Sequence, residues 1–136
     1  LKMANSRALK GLALELQSKV AVSVEINPDD EELTEKGVDL SDVSNPITLA
    51  DSHAGKIPFA PVPSESRLVA PFGVRDFGIL TVNAESADSI EAMLPAAPPQ
   101  YFTNAKLSWH RIPGKTAGTV TFAVRCERRA LRVIVR

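Results

Sequence analysis

Leu12-Ala13-Leu14-Glu15-Leu16-Gln17-Ser18-Lys19-Val20-Ala21-Val22-Ser23-Val24-Glu25-Ile26 alternates between two kinds of side chain. Seven of the eight even-numbered positions are large and apolar, and five of the seven odd-numbered ones are polar. A period of two belongs to a strand with one face on a core and one toward water, because successive side chains leave the pleated backbone on opposite sides. Val20 to Ile26 is therefore expected as strand. The beginning of the stretch also admits a helix, since Leu9, Leu12, Ala13 and Leu16 form a stripe behind Ser6 as a cap. Residues 6–17 are thus helix or strand, with strand from Leu12 the first choice.

Outward from that stretch the same period returns. Asn27-Pro28-Asp29 ends the strand and opens an acidic connecting loop over residues 27–46. From Asp42 to Ala70 the apolar pairs are short (Ile47 with Leu49, Ile57 with Phe59, Leu68 with Val69). Five prolines, at 46, 58, 61, 63 and 71, punctuate them and oppose helix. Phe77 to Val82 reads as a buried strand. Between Ser86 and Leu94, Ile90, Met93 and Leu94 share one side, Asp88 and Glu91 have capping-box spacing, and Pro95 stops a short helix. Leu107 and Trp109 alternate with Lys106 and Ser108, Pro113-Gly114 suits a turn, and Val120, Phe122, Val124 and Cys126 alternate with Thr119, Thr121, Ala123 and Arg125. The phase slips at Arg128-Arg129 before Leu131, Val133 and Val135 resume it, as a bulge would make it do. These signals predict an all-β fold, an antiparallel sandwich or barrel with a jelly roll among its forms, and one short helix near 86–94. The alternative is an α+β domain with an N-terminal helix over 6–17.

The 136 residues, 44% apolar and 24% charged, suit a single β-rich domain over 1–136. Sixteen basic and sixteen acidic side chains cancel, so net charge supplies no attraction to nucleic acid or membrane. A single cysteine excludes an intrachain disulfide framework and a cysteine-based zinc site. No uncharged apolar run reaches the roughly 18 residues of a membrane-spanning helix, so no membrane partner is expected. Leucine at residue 1, with Met3 two places in, suggests a fragment or processed piece of a larger polypeptide. The expected location is a reducing intracellular compartment or a virion.

Chemistry has few places to sit. Asp51-Ser52-His53 holds the residue types of a hydrolytic triad, but neighbours on an extended chain point apart and no G-x-S-x-G elbow is present, so a polar turn is expected. His53 and His110 lack the paired spacing of zinc ligands. Cys126 shares its face with Val120, Phe122 and Val124 and is expected to be buried and inert. Residues 58–63 hold a P-x-x-P, read as a stiff connector because Lys56 is wrongly placed for an SH3 ligand. Gly73-Val74-Arg75-Asp76-Phe77-Gly78 resembles a short segment of the trimeric dUTPases. Neither the serine-containing phosphate motif nor the uracil-side tyrosine pattern accompanies it, and no function is carried over.

Charge segregation is the stronger signal. Residues 29–42 carry seven acidic and one basic side chain, net −6, whereas residues 106–136 carry eight basic and one acidic, net +7. Asp29, Asp30, Glu31 and Glu32 on one side, and Arg125, Arg128, Arg129, Arg132 and Arg136 on the other, are therefore the candidate assembly or polyanion contacts. The expected function is a non-enzymatic structural or interaction domain of a larger assembly, such as a viral capsid or coat component. Its partners would be other protein subunits, like or unlike, with nucleic acid weakly supported because no aromatic residues interleave the arginines. No catalytic, cofactor-binding or metal-binding residues are assigned, and no cofactor is expected. Two other classes compete: a small hydrolase using His53 or His110 with a serine and a carboxylate, and a small-ligand or carbohydrate-binding module built on Trp109, Tyr101 and Phe102.

The alternation is testable at its centre. Val22→Asp is expected to cost about 3 kcal/mol or more in a urea titration, the scale of burying an unpaired polar group. Unchanged stability would remove Val22 from the core.

Overall fold

The structure, a computed structural model, describes residues 2–3, 11–24, 26, 37–60, 70, 72–102 and 104–129. In chain order the strands are β1 (Lys2–Met3), β2 (Leu14–Leu16), β3 (Ser23–Val24), β4 (Val38–Asp39), β5 (Ile47–Leu49), β6 (Gly73–Asn83), β7 (Lys106–Pro113) and β8 (Thr119–Arg128). Among the described residues one α-helix, α1 (Ala87–Met93), lies between β6 and β7. The principal sheet has the order β4-β6-β8-β7, with β6, β8 and β7 antiparallel and β4 added parallel to β6. Two parallel pairs, β1 with β3 and β2 with β5, contribute Leu14, Leu16, Val24 and Ile47 to the same hydrophobic core as the sheet.

The sheet's core face follows from register, because directly opposed residues on antiparallel strands point the same way. Phe77 lies opposite Val124, and Val124 opposite Trp109; Leu80 lies opposite Phe122. Phe77 and Leu80 are three residues apart and would leave a regular strand on opposite sides. A bulge at Ile79, between Gly78 and Leu80, inserts one extra residue and turns Leu80 and Val82 back to the side of Phe77. Phe77, Ile79, Leu80 and Val82 are all buried, as are Phe122, Val124 and Cys126. Phe77 and Phe102 meet with ring centroids 5.3 Å apart. The opposite face carries small and polar groups, with the Thr81 and Thr121 hydroxyls 2.8 Å apart.

The β-rich composition and the short helix agree with expectation; the details of pairing do not. The sheets are not closed into a barrel, and three of the strand pairs are parallel. The alternating stretch is broken by a turn at Ser18-Lys19, where the Val20 N–H donates to the Gln17 carbonyl at 3.1 Å and Lys19 takes the left-handed φ of 66°. Ser18 is the one even position without a large apolar side chain, so the turn falls where the core has nothing to lose. On either side most even positions stay inward: Leu14, Leu16, Val22, Val24 and Ile26 are buried and Val20 is half-buried, whereas Leu12, before the strand, is exposed, as is Glu15. Within residues 6–17, Leu14–Leu16 is a strand paired with β5, which removes the helical alternative there; residues 6–10 lie outside the described set.

The loop expected over 27–46 contains β4. Gly37, Val38, Asp39 and Leu40 are buried, and the Asp39 carboxylate accepts from the Ser41 N–H at 3.0 Å and hydroxyl at 2.6 Å. Asp88 and Glu91 do not cap α1. Instead Asn83 Oδ1 accepts the Ser86 N–H at 2.9 Å, capping a 3-10 turn (Ala84–Ser86) that leads into the helix. The same amide donates to the Val43 carbonyl at 2.9 Å, and the Ser86 hydroxyl donates to the Ser44 carbonyl. At the other hairpin, Pro113 ends β7, and the left-handed residue is Gly118 (φ 79°) rather than Gly114. A bulge not expected from the sequence lies at Ile79; β8 stays in register to Arg128, and the slip expected at Arg128-Arg129 runs into residues 130–136, which lie outside the described set.

Gly37 holds β4 against the bulge. Its φ is 61°, and a Cβ at this position would overlap the Ile79 carbonyl. Gly37→Ala combines a strained backbone with a clash against main chain, so a loss of at least about 2 kcal/mol is expected by urea titration. A neutral result would mean that β4 is not seated on the bulge.

Candidate functional site

The basic end of β8 divides into arginines that serve the fold and arginines that remain at the surface. Arg125 lies opposite Asp76 across the β6–β8 ladder and grips it with both arms, Nε to Oδ1 at 2.8 Å and an NH2 nitrogen to Oδ2 at 3.0 Å. Those bonds hold the guanidinium more firmly charged than an ordinary arginine and occupy its recognition edge. Arg128 donates to the Ala70 carbonyl at 2.7 Å and lies 4.0 Å over the Phe72 ring, a cation–π contact. Arg129 is exposed.

Around Arg128 and Arg129 a shallow depression of about 450 Å³ is lined by Phe72, Gly73, Val74 and Glu127. Phe72 is 64% exposed and Val74 65%, among the few large apolar side chains that the described residues show to water. Neither was singled out from the sequence. A signal existed, since Val74 sits opposite Glu127 on a register where the next residues of that face are Asp76 and Arg125. Arg132, Arg136, Asp29, Asp30, Glu31 and Glu32 lie outside the described residues.

The triad-like trio is not assembled. Asp51–His53 is a single 3-10 turn closed by Ala54 in the left-handed region (φ 54°), and no hydrogen bond joins the three side chains. His53 Nε2 stands 2.7 Å from the Gln17 carbonyl. A carbonyl can only accept, so this nitrogen carries the proton and is spent on the β2 turn. His110 lies on the other side of β7 from Trp109 and is half-buried rather than in open solvent. Among the described residues no three His, Cys, Asp or Glu side chains gather as a metal site.

The turn does border a groove of about 440 Å³. Ser52, His53 and Lys56 form one side, and Pro95, Pro98 and Pro99 the other. The Ile57 N–H donates to the Met93 carbonyl at 2.7 Å, and the Lys56 ammonium to the Ala92 carbonyl at 2.8 Å, tying the two sides together. The first half of the P-x-x-P also belongs to the fold: Pro58 and Ala60 exchange backbone hydrogen bonds with Val22. Residues 61–63 lie outside the described set.

The aromatic trio is not a platform. Tyr101 and Phe102 are buried in the core. Trp109 is half-buried on the Phe59 ring, with centroids 5.4 Å apart, and its indole N–H is buried with no hydrogen-bond partner among the described residues. No protein-family model, curated protein or solved structure matches the chain. Among the described residues no helix is long and apolar enough to cross a membrane.

Cys126 is buried, and burial pushes its thiol pKa up, against a smaller opposing effect of Arg128. Burial also raises the Tyr101 phenol, opposed in small part by the Val24 backbone. Both acids keep their protons in the folded chain to higher pH than in the unfolded one. The unfolded state therefore binds fewer protons as pH rises past about 8.5 for the thiol and about 10 for the phenol. These two groups leave stability unchanged below pH 8, and above it stability is expected to fall as they titrate in the unfolded chain. A thiol reagent at pH 8 should label Cys126 only after denaturant is added, and rapid native labelling would place the thiol at the surface.

Proposed function

We propose that this chain is a non-enzymatic structural or interaction domain that associates with further copies of itself. The contact is the sheet end where Phe72 and Val74 stand exposed beside Arg128 and Arg129. The observation that carries the reading is that apolar pair, mostly exposed to water although Arg128 covers one face of the Phe72 ring, with Arg129 lining the same depression. Burying apolar surface stabilises association by roughly 25 cal/mol per Å², and arginines at its rim add direction. In this reading β1–β3 and β2–β5 form the second layer of a sandwich, and the acidic residues Asp29, Asp30, Glu31 and Glu32 of a neighbouring copy supply the complementary charge.

A polyanion contact has less support. Arg125 is committed to Asp76, and Glu127 lines the depression, where it would repel a phosphate. The hydrolase reading also has less support, because His53 spends its protonated nitrogen on Gln17 and His110 is half-buried on β7. Such a small contact puts association in the micromolar to millimolar range.

Light scattering at rising protein concentration tests the proposal. The wild-type mass should climb from the monomer value, and Phe72→Ser with Val74→Ser should hold it at the monomer without lowering the melting temperature. Changing Asp29, Asp30, Glu31 and Glu32 to their amides should also weaken association. A wild-type chain that stays monomeric to millimolar concentration overturns the proposal. Tighter binding of single-stranded nucleic acid by the amide variant, with no change in self-association, would transfer the arginines to polyanion contact.

A further inference from the structure

We infer that the groove between the Asp51–His53 turn and residues 95–99 is a preformed site for a short acidic segment of a partner polypeptide carrying one aromatic side chain. The juxtaposition behind this is of rigid apolar walls with cationic and polar groups along one side. It lies among residues other than those of the self-association patch and stands without that reading.

The walls come first. Pro58, Pro95, Pro98 and Pro99 line the groove with rings whose φ is fixed, so little conformational freedom remains to be lost on binding. Ile57 is buried beneath, and Phe59 is braced from behind by Trp109. The backbone bond from Ile57 to Met93 keeps the two sides at a set spacing. A volume of about 440 Å³ falls in the range of ligand sites. An aromatic side chain suits such walls because it buries a large apolar area while few rotamers are frozen.

Charge then selects the partner. Of the residues lining the groove, Lys56 is cationic and none is a carboxylate. The Lys56 ammonium spends one donor on the Ala92 carbonyl, which positions the head group and leaves two donors for a ligand. The Ser52 hydroxyl adds another. An anionic segment meets Lys56 and no carboxylate among the lining residues, the exposed Asp51 standing one residue outside them, whereas a basic one must desolvate beside Lys56. A second copy does not supply the match, because residues 27–36, which include the acidic run, contain no aromatic side chain.

Fluorescence polarisation with two labelled peptides, Gly-Glu-Glu-Trp-Glu-Gly and Gly-Lys-Lys-Trp-Lys-Gly, tests the inference on the full chain. Saturable binding of the acidic peptide is expected, with little or none of the basic one, and loss when its tryptophan is replaced by glycine. Lys56→Gln should weaken binding about fivefold, the effect of one exposed charge contact. Ala97→Glu, at an exposed wall position, should abolish binding while the circular dichroism spectrum stays unchanged. Arg129→Glu should leave it intact. The inference is overturned by equal affinity for both peptides, by absence of saturation at millimolar peptide, or by a folded Ala97→Glu variant that binds as the wild type does. Loss on Arg129→Glu alone would also overturn it, moving the ligand to the β8 end.

Discussion

Ten residues of β6 lie opposite ten of β8, and the other elements of the principal sheet take their places from that ladder. Its one irregularity, the extra residue at Ile79, lets Phe77, Leu80 and Val82 face a single core. Beyond the bulge, at Leu80 and Thr81, β6 accepts β4, and Gly37 fits against the carbonyls the bulge displaces. Along its other edge β8 pairs with β7 from Lys106 to Pro113. At the far end Asn83 turns the chain into α1 and anchors residue 43 with the same amide. A long ladder with one bulge thus fixes the sheet's core face, its parallel edge and the entry to its helix.

Side chains that could have carried chemistry are largely consumed in holding this arrangement. His53 fastens the turn after β2, Asp76 and Arg125 pair across the ladder, and Asp88 and Glu91 reach Arg111 at 2.8 and 3.1 Å. That last pairing is exposed and contributes little to stability, but it occupies both carboxylates of the helix. What is left over at the surface, among the described residues, is an apolar pair with two arginines at the sheet end, and a proline-walled groove with a lysine.

Much of the fold was legible because the period of two survives interruption. Leu14, Leu16, Val22, Val24 and Ile26 are all buried although a turn at Ser18-Lys19 splits them into strands with different partners, since inward and outward are set by the core and not by the neighbour. Cys126 was placed for the same reason. Pairing direction was not legible: three-residue strands such as β2 and β5 carry no signal that separates parallel from antiparallel. The capping role of Asn83 was hidden by a better-looking motif, Asp88 with Glu91, whose carboxylates had a tertiary partner 20 or more residues away. The phase change between Phe77 and Leu80 was written in the sequence, yet a continuously apolar run conceals such a slip. In the candidate sites, arginine clustering was visible, whereas the split between structural Arg125 and exposed Arg129 depends on what each strand faces. The groove depends on two segments about 40 residues apart and had no local signature.

The placement of Trp109 gives the molecule a built-in optical gauge. It is the chain's one tryptophan, lying on β7 with its ring against Phe59 and its N–H sealed from water, with no partner among the described residues. An indole in that setting emits at shorter wavelength than one in solvent, and the Phe59 contact joins the edge of the principal sheet to the segment bonded to Val22. Emission colour therefore reports whether those two parts of the core are closed on each other, separately from the backbone content that circular dichroism records. A state that keeps its ladders but shifts its fluorescence to the red would be one in which the sheet persists and the Pro58–Ala60 segment has come away from it.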